Sequence, residues 1–356
     1  MRTLILTLAL LALPVGAAAE SGLRIDDQSA VILSYHRVGD DANPDSNIRL
    51  DQFETHLRTL KEEGYRVVPL RDIVTALRER QDIPDKTVAI TFDGAHRSVR
   101  DYAVPLLERY RFPYTVFIPT ALADQEEGGY LTWKELREIG QSGLAAFGLL
   151  PTYYTHLNEL QGDDMARGVN NARTRFREML EAEPEFFAYP YGEISAEYRA
   201  LIDKQGFAAA FGQQSGVASP AADMLALPRF AMTENYGDLE RFETAIRALP
   251  LPVTGMEPAD PYIDTLTPAI GFTLPPALAE REDLRCYASG ATPPDMQRLG
   301  EGRIELRFTE ALAAERVRLN CTVAQGTDDP EQPYRWRWFG VMLTVKSILP
   351  PYSGGE

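Results

Sequence analysis

Strand-like and helix-like segments alternate along the chain from residue 30 to about residue 249. Residues 88–92 and 114–118 are short apolar runs of the kind that form buried strands, whereas residues 53–63 carry apolar side chains at helical spacing. Alternation of this kind is typical of a parallel sheet whose strands are connected by helices. The sequence therefore predicts an α/β fold, with the strands closed or nearly closed into a (β/α) barrel over residues 20–249.

The pattern changes after this region, where the helical signal weakens and prolines become frequent. Residues 250–267 are rich in proline and are predicted to be a linker. Beyond them, residues 303–308 and 316–321 alternate apolar and polar side chains, as strands with one buried face do. We therefore expect a small all-β, sandwich-like domain over residues 268–349, followed by a tail at residues 350–356.

Residues 335–339 belong to one of these predicted strands and have an unusual composition. They alternate basic and aromatic side chains, in the order Arg-Trp-Arg-Trp-Phe. Such a strand is either a sugar-binding face or a face that packs against the barrel. We favour packing.

Residues 1–19 have the composition of a cleavable signal peptide. Arg2 precedes an apolar core at residues 4–13, and alanines at residues 17–19 form a cleavage site that would leave Glu20 first. The apolar core is too short to span a bilayer, and the sequence has no other hydrophobic run long enough to do so. We therefore expect an exported protein, periplasmic or secreted, with no stable membrane span.

Charge and cysteine content narrow the class of partner and the redox environment. The formal net charge of −16 argues against binding to nucleic acid or to anionic membranes, and it favours neutral or cationic partners. Cys286 and Cys321 are the two cysteines of the chain. In an exported protein such a pair predicts a disulfide, and the alternative is two free buried thiols.

Asp93 occupies the position where a chain of this kind is expected to place its chemistry. It ends the apolar run 88–92 and is followed by Gly94, as at the carboxyl end of a buried strand that turns sharply. In α/β folds functional side chains gather at these strand ends, and a buried carboxylate has to be paired, liganded or used. An Asx turn or a cap on the following helix is the alternative interpretation.

Several short motifs occur in the order found in one enzyme family. Residues 91–93 (Thr-Phe-Asp) and 189–192 (Tyr-Pro-Tyr-Gly) each end or follow a predicted strand, and His156 lies between them. Together they resemble the polysaccharide deacetylase family, the NodB-homology group. Residues 34–38 (Ser-Tyr-His-Arg-Val) resemble the branch that deacetylates poly-β-1,6-N-acetylglucosamine. The resemblance covers about residues 30–249. It implies an irregular (β/α) barrel and metal-assisted hydrolysis of an N-acetyl group on an N-acetylhexosamine glycan.

The resemblance also implies roles for individual residues. Asp93 matches the general base, His36 the general acid, and Tyr191 the residue whose backbone N–H stabilises the oxyanion. An arginine often accompanies the base in this family, and Arg229 is the candidate, with a surface arginine as the alternative. The remaining substrate-binding candidates belong to the second motif: Tyr189, Pro190 and Gly192.

The metal site implied by the resemblance is incomplete in this sequence. The family has a metal-binding aspartate at the position of Gly94 and a histidine near the position of Thr152, so that His156 is the one matching ligand. A catalytic divalent metal normally takes three protein ligands. His96 and Glu193 are candidate substitutes, although we favour a surface position for His96. Zinc, cobalt or nickel is therefore expected if the protein is active, and no cofactor otherwise.

Three functions are compatible with these residues. The first is an active glycan N-deacetylase with an altered metal site. The second is a pseudo-deacetylase that binds a glycan, or a partner in exopolysaccharide assembly, without hydrolysis. The third is a structural role of the β-domain in an exopolysaccharide machine. The expected partner is an N-acetylated polysaccharide or the machinery that assembles it.

Overall fold

The structure is a computed structural model that describes residues 25–125, 128–325 and 334–346. The predicted signal peptide, residues 1–19, and the predicted tail, residues 350–356, lie outside the described residues. Among the helices that the structure describes, none combines the length and the apolar character that a membrane crossing requires.

The first part of the chain is built on one parallel sheet. The strands described in it are β1 Val31–Tyr35, β2 Arg37–Val38, β3 Asn47–Ile48, β4 Arg66–Val67, β5 Thr87–Asp93, β6 Tyr114–Pro119, β7 Ala145–Leu150, β8 Phe186–Ala188, β9 Ala209–Phe211 and β10 Phe230–Ala231. The sheet order is β10-β1-β5-β6-β7-β8-β9, with β4 on β5, and β2 pairs separately with β3. A parallel bridge joins Phe211 of β9 to Leu227, which lies shortly before β10 in the sequence. This arrangement is the irregular (β/α) barrel that the sequence predicts.

Helices connect successive strands of this sheet. They are α1 Leu50–Glu62, α2 Leu70–Glu79, α3 Val104–Tyr110, α4 Thr120–Ala123, α5 Trp133–Gly140, α6 Asp164–Leu180, α7 Ala196–Gln205 and α8 Leu239–Ile246. Their apolar faces cover the sheet, so that every residue of β5 is buried. This burial explains why β5 is a continuous apolar run, since a parallel strand covered on both faces has no solvent side.

The direction of the strands brings the predicted site residues to one edge of the sheet. His36 directly follows β1, Asp93 ends β5, and Tyr189 directly follows β8. Because the strands are parallel, their carboxyl ends meet at this edge. The fold therefore gathers residues that are far apart in the sequence.

The last part of the chain forms two sheets around one core. Its elements are β11 Leu249–Pro250, β12 Thr254–Glu257, β13 Tyr262–Ile263, β14 Ala269–Thr273, α9 Pro276–Ala279, β15 Arg285–Ala288, β16 Asp295–Arg298, β17 Arg303–Arg307, β18 Arg316–Gln325 and β19 Arg335–Val345. One sheet has the order β11-β19-β18-β15, with β13 on β19, and the other has the order β12-β14-β17-β16. Apolar side chains of both sheets, such as Phe272 and Leu319, share one core. The predicted sandwich-like arrangement is present.

The two cysteines lie on neighbouring strands of one of these sheets. Cys286 on β15 is paired in register with Cys321 on β18, and the two form a disulfide. The predicted disulfide is therefore present, and the alternative of two free thiols is wrong.

The prediction of a linker at residues 250–267 is wrong. This segment contains β12, which pairs with β14, and β13, which pairs with β19. Residues 251 and 263 are buried in the core of the two sheets. Proline is excluded from central ladder positions but tolerated at strand ends and edges, so short strands can form between the prolines. The proline-rich composition therefore reflects irregular edge strands and not an extended connection.

Residues 335–339 lie in β19 and pack against the barrel. Both terminal nitrogens of Arg337 donate to the carboxylate of Asp26 at 2.7 Å, and Arg337 is only 2% exposed. The indole ring of Trp338 lies edge-on to Phe230 of β10, with ring centroids 5.4 Å apart. The favoured interpretation of this strand as a packing face agrees with these contacts.

Candidate functional site

Asp93 and Arg229 form a buried ion pair at the end of β5. Nη1 of Arg229 donates to Oδ1 of Asp93 and Nη2 donates to Oδ2, each at 2.7 Å. Arg229 also donates to the carbonyl of Gly212 and the hydroxyl of Thr91, and neither charged side chain is exposed. Both oxygens of the candidate base are therefore held by a bidentate, charge-assisted pair. Arg229 thus lies beside Asp93, the position in which the resemblance implies an arginine, and not on the surface.

His36 lies beside this ion pair without a hydrogen bond to it. Its Nε2 is 4.0 Å from Oδ2 of Asp93, which is beyond hydrogen-bond distance. The same Nε2 accepts a hydrogen bond from Nε2 of Gln213 at 3.2 Å. Burial lowers the pKa of His36 and outweighs the raising effect of Asp93. A neutral imidazole that accepts at Nε2 does not have the proton that the predicted general acid would supply.

A cavity of about 560 Å³ opens at this edge of the barrel. Four of the residues singled out from the sequence line it: His36, Gly94, His96 and Tyr191. The other candidates lie outside its lining: Asp93, Arg229, His156, Glu193, Tyr189, Pro190 and Gly192. The cavity therefore reaches the acid candidate but not the carboxylate of the base candidate.

Tyr191 is held in the cavity wall by its neighbours on both sides. Its ring stacks on the imidazole of His156, with centroids 3.6 Å apart and planes 9° from parallel. The guanidinium of Arg316 lies 5.2 Å from the ring centroid, and its Nη1 donates to the carbonyl of Tyr191. Tyr191 has a φ of +55°, a left-handed conformation that costs free energy in a residue with a side chain. These contacts compensate that cost and fix an aromatic surface toward the cavity.

Tyr189 and Gly192, from the same Tyr-Pro-Tyr-Gly motif, support the position of Tyr191. The side chain of Tyr189 is buried, and its hydroxyl donates to the carbonyl of Leu225. Gly192 has a φ of +73°, and a Cβ on it would lie 2.5 Å from the backbone nitrogen of Gln213. Glycine is required there because the two backbones approach so closely. Tyr189 and Gly192 therefore position Tyr191 and Gln213, and neither presents a side chain to the cavity.

The space beside Gly94 is occupied by His96. A Cβ on Gly94 would lie 2.7 Å from Nε2 of His96, and Gly94 has a φ of +101°. His96 is 8% exposed and packs against the ring of Tyr130. The interpretation of His96 as a surface histidine is therefore wrong, because its imidazole fills the room that an aspartate side chain at position 94 would need.

The other two positions of the implied metal site also face away from a common centre. The hydroxyl of Thr152 donates to the carbonyl of Gly168 at 2.8 Å. Nδ1 of His156 is 2.8 Å from Oε1 of Glu193, whose other oxygen accepts from the backbone of Leu157. Within residues 25–125, 128–325 and 334–346, no three His, Cys, Asp or Glu side chains are grouped as metal ligands. The residues present do not fit a catalytic divalent metal, and His96 and Glu193 do not complete the site.

Two cavity residues come from the last part of the chain and were not singled out from the sequence. Arg316 and Arg318 stand on β18, and both line the cavity. Residues two apart on a strand point to the same face, so the Arg-Val-Arg order places both guanidinium groups on one side. That spacing was the available signal, but it could not reveal which surface of the barrel β18 would face.

The comparisons with known proteins agree on one family. Residues 80–210 match the family model described as polysaccharide deacetylase. A poly-β-1,6-N-acetyl-D-glucosamine N-deacetylase of Escherichia coli K12 is 26% identical over 253 residues, which are 58% of this chain and 37% of the relative. The protein of the same description from Staphylococcus aureus MSSA476 is 23% identical over 242 residues, which are 60% of this chain and 82% of the relative. The chain thus spans little more than a third of the length of the E. coli relative.

Solved structures share the barrel. IcaB from Ammonifex degensii superposes with a TM-score of 0.55 at 25% identity, covering 62% of this chain and 97% of that one. The Streptococcus pyogenes deacetylase PplD, solved in complex with acetate, superposes with a TM-score of 0.56 at 22% identity, covering 61% of this chain and 98% of that one. Deacetylases of this family generally use a divalent metal. The site of this chain differs, because its described residues do not group three side chains as metal ligands. The chain therefore contains a polysaccharide deacetylase domain, built on a NodB-type (β/α) barrel.

Proposed function

We propose that this protein recognises an N-acetylhexosamine glycan in the cavity at the barrel edge without hydrolysing it, as a pseudo-deacetylase. The observation that carries this proposal is the burial of Asp93, which is 0% exposed and does not line the cavity. A general base must reach the water that it activates. The position of His96 is a second, independent reason, because its ring lies where a ligand side chain at position 94 would begin.

The cavity retains features that suit a sugar. The aromatic rings of Tyr154 and Tyr191 lie 4.5 Å apart, edge to face, and Gln213 contributes an amide that bonds to His36 and to the hydroxyl of Tyr154. Aromatic faces with a few polar groups are the usual lining of small-molecule sites. The names of the E. coli and S. aureus relatives support an N-acetylglucosamine polymer as the glycan.

The test separates binding from hydrolysis on the same oligomers. Purified mature protein is incubated with zinc, cobalt or nickel and analysed for bound metal. Acetate release from β-1,6- and β-1,4-linked N-acetylglucosamine oligomers is then measured beside their binding by calorimetry. We expect far less than one equivalent of metal, no acetate release, and binding that Tyr191→Ala weakens.

Tyr287→Ala is the matched control, since Tyr287 is an exposed tyrosine on β15. It should leave glycan binding unchanged. Acetate release that a chelator abolishes and zinc restores would overturn the proposal. Absence of binding by every oligomer would overturn it as well.

Restoration of the metal site sharpens the same test. Gly94→Asp with Thr152→His is expected to fail, because His96 occupies the space of the new side chain. Adding His96→Ala removes that obstacle. If zinc binding and deacetylation arise only in the triple variant, the lost activity is explained by these three positions.

The proposal also includes export and a role beside exopolysaccharide assembly. Export is inferred from the sequence of residues 1–19, with the Cys286–Cys321 disulfide as support. The role beside exopolysaccharide assembly is inferred from the polysaccharide named in the descriptions of the relatives. Amino-terminal sequencing of the protein from the periplasm or medium should begin at Glu20.

A further inference from the structure

The lining of the cavity carries an excess of positive charge. Three arginines line it, Arg37, Arg316 and Arg318, whereas Asp45 is the one acidic residue of the lining that the structure describes. Asp45 is exposed to solvent. We propose that the cavity recognises an anionic substituent of its glycan, and that Arg318 is the residue that binds it. The inference rests on the proposed glycan-binding function and specifies the class of glycan.

Two of these arginines already have partners within the protein. Nη1 of Arg37 donates to Asp40 at 2.7 Å. Arg316 donates to the carbonyl of Tyr191 and lies 3.9 Å from Glu193. The charges of Arg37 and Arg316 are therefore largely compensated by groups of the protein itself.

Arg318 differs from both. Its Nε is buried without a hydrogen-bond partner, and it forms no ion pair with any carboxylate in the described part of the chain. Its backbone is held firmly, because its N–H donates to the Ser289 hydroxyl and its carbonyl accepts from the Ser289 N–H. Burial lowers the pKa of Arg318, and the positive charge of Arg316 lowers it further. A guanidinium in this position is unfavourable on its own and is stabilised when an anion enters the cavity.

The chemistry of the guanidinium identifies the class of ligand. Its planar fork of N–H donors matches the oxygens of a carboxylate or a phosphate. Both would be substituents of an acidic glycan, and the shared requirement is negative charge. The whole chain is strongly acidic, with a formal net charge of −16, so the attraction is local to this cavity. This proposal departs from the expectation of neutral or cationic partners, which rests on the net charge of the whole chain.

The experiment compares ligands that differ only in charge on the mature full chain. Binding of a tetrasaccharide of alternating glucuronate and N-acetylglucosamine is measured beside its carboxyl-reduced form. N-acetylglucosamine 6-phosphate is measured beside N-acetylglucosamine. The variant is Arg318→Gln, and the matched control is Arg307→Gln, whose side chain is 55% exposed on β17.

We expect at least one anionic ligand to bind about tenfold or more tightly than its neutral counterpart. Arg318→Gln should remove this difference, and Arg307→Gln should preserve it. A preference for the glucuronate or for the phosphate member alone identifies the source of the charge.

Equal binding of charged and neutral forms would overturn the inference and leave the proposed function intact. A charge preference that survives in Arg318→Gln would overturn the assignment to this residue. If that variant does not fold, the comparison of ligands on the unaltered protein still decides whether charge is recognised. Failure of every ligand, charged and neutral, to bind would overturn both the inference and the proposed function.

Discussion

Arg229, which pairs with Asp93 in the barrel, is fully buried, whereas Arg318 on β18 is half-buried, and the two differ in what surrounds them. Arg229 makes a bidentate ion pair with Asp93 and two further hydrogen bonds. Arg318 lines the open cavity, and its Nε has no partner among the described residues. The charge of a paired arginine is compensated within the protein, whereas an unpaired one lowers the stability and is available to an anionic ligand. This difference is the reason for which the proposed anion recognition is assigned to the β18 side of the site and not to the barrel side.

Arg229→Met tests the paired side and should have the largest effect. It leaves Asp93 buried without a counter-charge, which typically destabilises a protein by about 3–5 kcal/mol. Denaturant unfolding followed by circular dichroism measures the change. Arg71→Gln is the control, because the Arg71–Glu185 pair is exposed and should contribute only about 0–1 kcal/mol. Equal effects of the two substitutions would remove the basis of the comparison.

His96→Phe tests how tightly the barrel side is filled, through the pH dependence of stability. Burial, with further contributions from Arg37 and His36, lowers the pKa of His96 to about 2, whereas an unfolded histidine titrates near 6.5. Between pH 6.5 and pH 5 the unfolded chain therefore binds a proton that the folded chain excludes. The free energy of unfolding consequently decreases as the pH is lowered through this range. This contribution is about 2 kcal/mol by pH 5.

The Phe variant should lose that part of the acid sensitivity. The free energy of unfolding is measured for both proteins at pH 7.5 and pH 5.0. Above pH 7.5 the two should depend on pH in the same way, since histidine is neutral in both states there. Identical acid sensitivity of the two proteins would show that His96 is protonated in the folded state.

Gly94→Ala tests the same side by steric means. The new Cβ meets Nε2 of His96 at 2.7 Å, and a φ of +101° is itself unfavourable for alanine. We expect a loss of about 1–3 kcal/mol, part of which returns when His96→Ala is added. Gly206→Ala is the control, because Gly206 has a φ of +74° with open space around it. If Gly94→Ala destabilises no more than this control, the space beside Gly94 is not filled.

Arg318→Met tests the unpaired side and should have the smallest effect on stability. Removal of a half-buried charge that forms no ion pair among the described residues is expected to be neutral, or to stabilise the protein by up to about 1 kcal/mol. Thermal unfolding in the absence of any glycan measures it. The same substitution at Arg229 and Arg318 thus has opposite expected consequences, and a loss of several kcal/mol at Arg318 would mean that its charge is compensated within the protein.

The barrel could be predicted from local patterns because strand periodicity and helix periodicity are properties of neighbouring residues. The continuous apolar run of β5 reflects a strand covered on both faces. The side chains of β17 alternate between polar and apolar because only one face of that strand is buried. The prediction of a linker at residues 250–267 is wrong for the same reason. Its short strands are stabilised by partners far away in the sequence, which local composition does not encode.

The site could be predicted only in part. The motifs locate Asp93, His36 and Tyr191 at one edge of the sheet, since strand ends in a parallel sheet converge. The motifs do not reveal that Asp93 lies outside the cavity lining or that the ring of His96 covers Gly94, because both positions depend on side-chain packing. The contribution of Arg318 depends on how two parts of the chain are joined, and no local pattern contains that information.

The cavity wall shared between the barrel and β18 has a consequence for how this protein can diverge. Asp93 and Arg229 are fully buried in the barrel, whereas Arg316 and Arg318 stand on a strand whose apolar side chains belong to a separate core. Substitutions on β18 can therefore alter ligand selectivity while the barrel keeps its stability. If the cavity binds a glycan as proposed, the stability of the barrel and the selectivity of the cavity depend on different residues, and a substitution can change one without the other.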